Sequence, residues 1–360
     1  MPESKSAWKI LEIRLPQENE FTPESMSSLL SNFIQTSKIS FLNRLLKKKS
    51  TITSLEIALK DGQIHFYVVI PEINFEFFRA QILAQYPTAI TKESKDYLDL
   101  SLFPQRGMSE GQGDFKQNLF MSQLCLSRPY SYPLKTNRDF RDTDPLSSVL
   151  SPLARSQSGS DFFLYQILLT SPPKNWTIPI VSTIQNGILV DKEKGFRQAH
   201  PDKAIFETKI QFPGLLTQIN LLSNNLNLLN SMTSSFGIYT NPRGNLLKNS
   251  PPSLFSKNSL RKSIFNREFK SSLANQILNV EELSALWHFP TLQTKLPNIA
   301  WGKNLFADPP ENLPVATGLS DEEKEKITFF ARTEFHNQDT IFGIKEGEDR
   351  RRHTYIIGKS

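Results

Sequence analysis

Cysteine is almost missing from this sequence: Cys125 is the single one among 360 residues. That excludes a disulfide framework and any metal site built from several thiolates, and it points to a reducing, cytoplasmic compartment. Long hydrophobic runs are missing too. No apolar stretch approaches the roughly 20 residues that a membrane span needs, and the polar opening MPESKSAWK is unlike a signal peptide. Any membrane association is expected to be peripheral, at the inner face, through a partner or a segment outside this chain. Charge of one sign does not dominate: 42 Lys and Arg against 36 Asp and Glu leave a formal +6. Such a balance permits contact with nucleic acid or anionic surfaces without demanding it. The five histidines (65, 200, 288, 336 and 353) are scattered, with no second ligand at helical spacing, which argues against a metal site.

What is present is ordinary globular material, 38% hydrophobic and 22% charged. Three hundred and sixty residues are enough for two or three domains. Residues 8–15 read as a strand. Thr22, Pro23 and Glu24 open a helix: a hydroxyl cap, a proline at the first helical position, then an acid near the positive dipole end. Met26, Leu29, Leu30, Phe33 and Ile34 follow at helical spacing. Leu55, Ile57 and Leu59 alternate, Asp61-Gly62 supplies a two-residue turn, and Ile64, Phe66, Val68 and Ile70 alternate again, a hairpin. Ile73, Phe77, Phe78, Gln81 and Ile82 predict a second helix, ended near Tyr86-Pro87, and a last strand begins at Ile90. The order strand, helix, strand, strand, helix, strand is that of a ferredoxin-like α+β sandwich over residues 1–103.

Residues 104–116 (PQRGMSEGQGDFK) form a glycine-rich linker, and the lone GxG within residues 109–113 signals nothing further. Residues 117–241 read as a second, looser α+β domain, giving a tandem ferredoxin-like architecture. Its expected parts are a strand at 120–126, a helix opened by Asp144-Pro145, a buried strand at 162–169, an insertion at 172–201, a strand at 204–212, a leucine-rich helix at 215–232 with one wet, asparagine-bearing face, and a closing strand at 236–239. Residues 242–280 read as a polar, loop-rich segment. Residues 281–360 read as a connector: a short helix from Glu281, then an extended proline-rich stretch, a solvated charged face at 321–326 and strand-like runs at 341–344 and 354–357.

Few constellations carry chemistry. Asp142 and Asp144 look like a carboxylate pair, but helix capping accounts for Asp144. His288, between Trp287 and Phe289, reads as a packed, hydrogen-bonded histidine. Cys125 reads as a small buried hydrophobe. Lys47, Lys48 and Lys49 follow a helix, whose negative end favours cations. Arg350, Arg351 and Arg352 are candidates for DNA or phosphate contact, with a charged hairpin turn as the equally good alternative.

The last residues are the most informative. Residues 349–360 (DRRRHTYIIGKS) resemble the segment leading into the P-loop of conjugative and type IV secretion ATPases, in the FtsK/HerA-like motor superfamily. Residues 283–290 (LSALWHFP), 309–314 (PPENLP) and 342–344 are similar to the same group, and residues 11–23 and 81–87 resemble the N-terminal region of its large bacterial members. The resemblance implies that Gly358, Lys359 and Ser360 are the opening of a P-loop that is incomplete here. No catalytic residue is carried over, and no cofactor is expected in this portion; ATP and Mg²⁺ are implied for a longer protein. Implied partners are further copies in a ring hexamer, secretion-channel components and DNA. The expected function is therefore the N-terminal, non-catalytic part of a secretion ATPase, with a stand-alone module binding nucleic acid or protein as the alternative.

Overall fold

The computed structural model describes residues 8–36, 52–98, 119–140, 143–156, 159–191, 193, 195–270, 276–302, 313–335, 338–347 and 351. Residues 1–302 form one compact unit and residues 303–360 another.

In the first unit the chain begins β1 (Trp8–Arg14), α1 (Pro23–Thr36), β2 (Thr53–Lys60), β3 (Gln63–Pro71), α2 (Phe75–Gln85) and β4 (Ile90–Ser94). The hairpin between β2 and β3 turns on Asp61 (φ 51°) and Gly62 (φ 75°), both in the left-handed region, as a type I′ turn requires. Of the residues that predict α2, Phe78 and Ile82 are buried together with Phe75, whereas Ile73, just before the helix, and Phe77 are exposed.

The chain continues through β5 (Phe120–Leu126), α3 (Pro145–Ala154), β6 (Phe163–Thr170), α4 (Ile178–Asn186), β7 (Ile188–Asp191), β8 (Phe196–Gln198), α5 (Lys203–Ile210), β9 (Gly214–Ser223), α6 (Leu226–Ser235) and β10 (Leu247–Ser250). It then forms α7 (Lys257–Asn266), β11 (Ile277–Asn279) and α8 (Val280–Leu286). Four expectations are corrected here. The stretch 204–212 is the helix α5, because Phe206 and Lys209, three apart, share its buried side. The stretch 215–232 is not one helix but β9 followed by α6. Asn225 divides them, its side chain accepting from the N–H groups of Asn227 and Leu228 as an N-cap. Residues 236–239 form a 3₁₀ turn, and the closing strand is β10. The expected loop-rich segment 242–280 thus carries β10, α7 and β11.

The fold is mixed α+β around a mostly antiparallel sheet of order β10-β5-β9-β6-β2-β3-β1-β4, with β11 added beside β9. The order β10-β5-β9-β6 repeats β4-β1-β3-β2, and every pairing within each half is antiparallel. β2 and β6 join the halves, with Glu56 opposite Gln166 at the centre of the join. Side chains alternate across the sheet. Leu11, Ile57, Phe66, Ile167 and Ile219 pack with α1, α2, α3, α6 and α8 on one face, while Ala58, Tyr67, Leu164 and Leu222 pack with Tyr97 and α7 on the other. The end of this unit is extended: Ile64 N–H donates to the Asn298 carbonyl (2.8 Å), and Ala300 N–H donates back to Ile64 (3.0 Å).

In the second unit, α9 (Asp321–Glu325) is capped by Ser320 and leads into the hairpin of β12 (Ile327–Phe335) and β13 (Gln338–Lys345). The expected run 341–344 lies within β13. Residues 354–357 lie outside the described residues.

Candidate docking interface

The insertion between β6 and β9 is held firmly at its base. Lys209 of α5 is fully buried, and its ammonium donates to Glu282 of α8 and to the Ile277 carbonyl (2.9 Å). Burial lowers the lysine pKa, and the Glu282 charge and hydrogen bond act against that. Glu282 also accepts from the N–H groups of Asn279 and Leu134, so one carboxylate ties the insertion, the start of α8 and the segment after β5 together. Nearby, Phe206 packs edge-on against Tyr132 at 4.9 Å, and the Tyr132 hydroxyl donates to Asp202.

From this base projects the ribbon of β7 and β8, which pair with each other and, among the described residues, with no other strand. It starts at Gly187, whose φ of 59° is left-handed and where a Cβ would lie 1.9 Å from the Gln198 carbonyl oxygen, so no other residue fits. The ribbon carries Ile188, Leu189, Val190 and Phe196, and Ile178 of α4 lies in the same insertion. All five are exposed, Val190 by 55% and Phe196 by 56%. Large exposed apolar side chains carried on one insertion make it the candidate interaction surface. Asp191 and Arg197 give the ribbon both signs of charge.

Elsewhere two groups of charged residues are turned inward and engaged. Arg267, at the left-handed C-cap of α7, donates through Nε to Glu56 (2.9 Å) and through Nη1 and Nη2 to Asp96 (2.9 and 3.0 Å). Glu56 also accepts from Gln166 Nε2 (2.9 Å) and from the Tyr97 hydroxyl. Asn220 Nδ2 donates to Gln166, and Gln123 and Gln218 donate to Asn220. This chain of bonds fastens α7 and Tyr97 across the middle of the sheet. A second centre joins Asp144, which caps α3 through Leu146 N–H (2.8 Å), to His288 Nε2 (3.0 Å) and to the hydroxyls of Thr291 and Thr294. The other nitrogen of His288 faces the Ser284 carbonyl (2.8 Å), so both ring nitrogens are engaged. These arrangements hold elements in place; neither sets a nucleophile beside a free base.

A cleft of about 530 Å³ lies above Asp144, lined by Thr22, Glu24, Arg138 and Phe140 among others. No group of three or more His, Cys, Asp or Glu suited to a metal ion occurs among the described residues. Cys125 is half-buried on β5, less enclosed than expected, and burial raises its thiol pKa.

Of the residues singled out in the sequence, Arg351 is exposed in the second unit. Arg350, Arg352, Gly358, Lys359, Ser360, Asp142 and the three lysines 47 to 49 lie outside the described residues. Glu56, Lys209, Arg267 and Glu282 carry no sequence signal of their burial. The run Ile188-Leu189-Val190 is the longest unbroken apolar run of the insertion 172–201, a clue to the ribbon.

A family model, the domain of unknown function DUF8128, matches residues 2–202. The chain belongs to this family. The DUF8128 match takes in the half-sheet of β1 to β4, continues through β5 and β6, and includes the ribbon, stopping just before α5. No curated protein matches the chain.

No helix among the described residues is long and apolar enough to cross a membrane.

Proposed function

We propose that this DUF8128 chain is a docking and assembly part, without a catalytic centre of its own, of a motor of the type IV secretion kind. Its two halves are ferredoxin-like units fused edge to edge through β2 and β6. What supports the second statement is the repeated strand order, with helices inserted after the same strands in each half. The motor reading rests on the resemblance of residues 349–360, and ATP and Mg²⁺ belong to it only for a longer protein.

The observation that carries the docking reading is the exposed apolar ribbon on its fixed base. Its partner is a neighbouring copy of the chain. A short ribbon with an open edge and charges of both signs is suited to pairing with its own image by strand addition. Channel components and DNA remain partners that the resemblance implies. The rival reading, a stand-alone module that binds nucleic acid across an open sheet face, is less well supported, because α7 and Tyr97 occupy the middle of that face.

Sedimentation velocity over a concentration series tests this. Wild type should associate, and L189S/V190S/F196S should remain monomeric with an unchanged melting temperature. A wild type that stays monomeric throughout, or a triple variant that associates equally well, overturns the reading.

A further inference from the structure

Between β10 and α7 the chain makes a tight turn in which Ser256 N–H donates to the Ser253 carbonyl (3.1 Å) and Ser253 Oγ donates to Ser256 Oγ (3.0 Å). The two central positions of that turn are Leu254 and Phe255. They are 90% and 99% exposed, the most exposed large apolar side chains among the described residues. The turn is not loosely attached. It runs directly into α7, with Leu260 N–H donating to the Ser256 carbonyl (2.9 Å), and Leu260, Ile264 and Phe265 bury α7 against the sheet. Arg267 then locks the far end of α7 onto Glu56 and Asp96. A leucine and a phenylalanine are thus held out into solvent by one of the better anchored elements of the fold.

The charge around them is strongly one-sided. From residue 243 to residue 270 the chain carries seven Lys or Arg and a single acid, Glu268, and with Arg267 buried against Glu56 and Asp96 six of those basic residues remain. Lys248 of β10 and Lys257 and Lys262 of α7 are exposed, and Lys262 and Lys270 line an open cleft of about 510 Å³ beside Ser259 and Glu268.

We infer that the Leu254–Phe255 turn and the basic flank of α7 are a peripheral membrane-docking surface for an anionic lipid bilayer. Apolar side chains at the apex of a turn enter the boundary between headgroups and acyl chains, and the surrounding lysines meet the negative headgroups within a Debye length. A nucleic acid would use the lysines but would leave the aliphatic Leu254 without a partner, so the paired exposure of Leu254 and Phe255 selects lipid. The inference rests on neither the ribbon nor the motor reading, since it concerns a different element of the molecule.

Flotation of the full chain with phosphatidylglycerol/phosphatidylcholine vesicles, with phosphatidylcholine vesicles alone, and a parallel titration with a DNA oligonucleotide test it. The chain should float with the anionic vesicles, and less of it should float as salt rises. L254S/F255S should weaken binding about tenfold or more, because two buried apolar side chains are lost. K257Q/K262Q should weaken it and flatten the salt dependence. In an F255W variant, tryptophan emission should move to shorter wavelength on adding anionic vesicles and be quenched by brominated lipid. Failure of the wild type to float, equal flotation of L254S/F255S, or binding of the oligonucleotide with no vesicle binding would each overturn the inference. Because Leu254 and Phe255 are in solvent, both of their variants should keep the wild-type melting temperature, and self-association through the ribbon should be unaffected.

Discussion

Arg267 and Glu56 show how a single buried residue can set the position of an element. Two charges taken out of water are stable only while each remains paired. Burial alone would lower the Arg267 pKa, but the charges of Glu56 and Asp96 and the bonds to them raise it, so the guanidinium stays charged. Arg267→Ala leaves Glu56 buried without its partner and should cost about 3–5 kcal/mol in urea unfolding. The double variant E56Q/R267M removes both charges and should recover most of that loss. A single-variant cost below about 1 kcal/mol, the scale of a surface pair, would contradict the account. Asp144 gives a pH test. Burial pushes its carboxyl pKa up, but the His288 charge and the hydrogen bonds from His288, Thr294 and Leu146 outweigh burial and hold it well below the usual carboxylate range. The folded chain therefore binds this proton more weakly than the unfolded chain. Its stabilisation is complete above the ordinary aspartate pKa of about 3.9 and is lost as pH falls toward the lower folded value. Asp144→Asn should be clearly less stable than wild type at neutral pH, and the two urea midpoints should converge below about pH 4. A gap that stays constant into strong acid would show that the carboxylate charge plays no part.

Elements divide sharply into those the sequence pattern reveals and those it conceals. The β2–β3 hairpin was legible because alternation and Asp61-Gly62 agree with each other. Nothing lies within 4 Å of a Cβ built at Gly62, so the cost of Gly62→Val there is purely conformational. It should be about 2 kcal/mol, measured by thermal or urea unfolding; a neutral result would mean that the turn is not type I′. The stretch 215–232 was misread because leucines at 215, 216, 221, 222, 226, 228 and 229 satisfy a helical and an alternating pattern together. The decisive residue was Asn225, a cap inside an apparently continuous run. The expected wet face is present in α6, where Asn227 and Asn230 are exposed opposite Leu228, Leu229 and Met232, but it fails in β9 for a physical reason. β9 is buried on both sides, and Asn220 and Gln218 are satisfied by Gln166, Gln123 and Ser263 rather than by water. Buried polar partners from distant strands leave no trace in local periodicity. The same holds for Lys209 and Glu282, which read as surface residues until α5 is laid against α8.

At the scale of the whole molecule, element order makes the mixed α+β character legible, whereas the joining of the strands into one sheet is not. β2 and β6 are separated by more than a hundred residues, and their pairing turns two half-sheets into one within the compact unit 1–302. Fusion uses up the two edges that meet at its centre and leaves β10 and β4 at the ends of the sheet. The exposed apolar residues Ile188, Leu189, Val190 and Phe196 lie away from those ends, on the insertion. The central claim, that neighbouring copies meet through this ribbon, has a direct measurement. Replacing Val190 with cysteine in a C125S background places one thiol on the ribbon and removes the native one. Under mild oxidation the V190C/C125S chain should form a covalent dimer that reductant reverses, and adding F196S should suppress it. The account is contradicted if V190C/C125S cross-links no faster than a control cysteine placed at an exposed position away from the ribbon, such as Ser259→Cys in the same background.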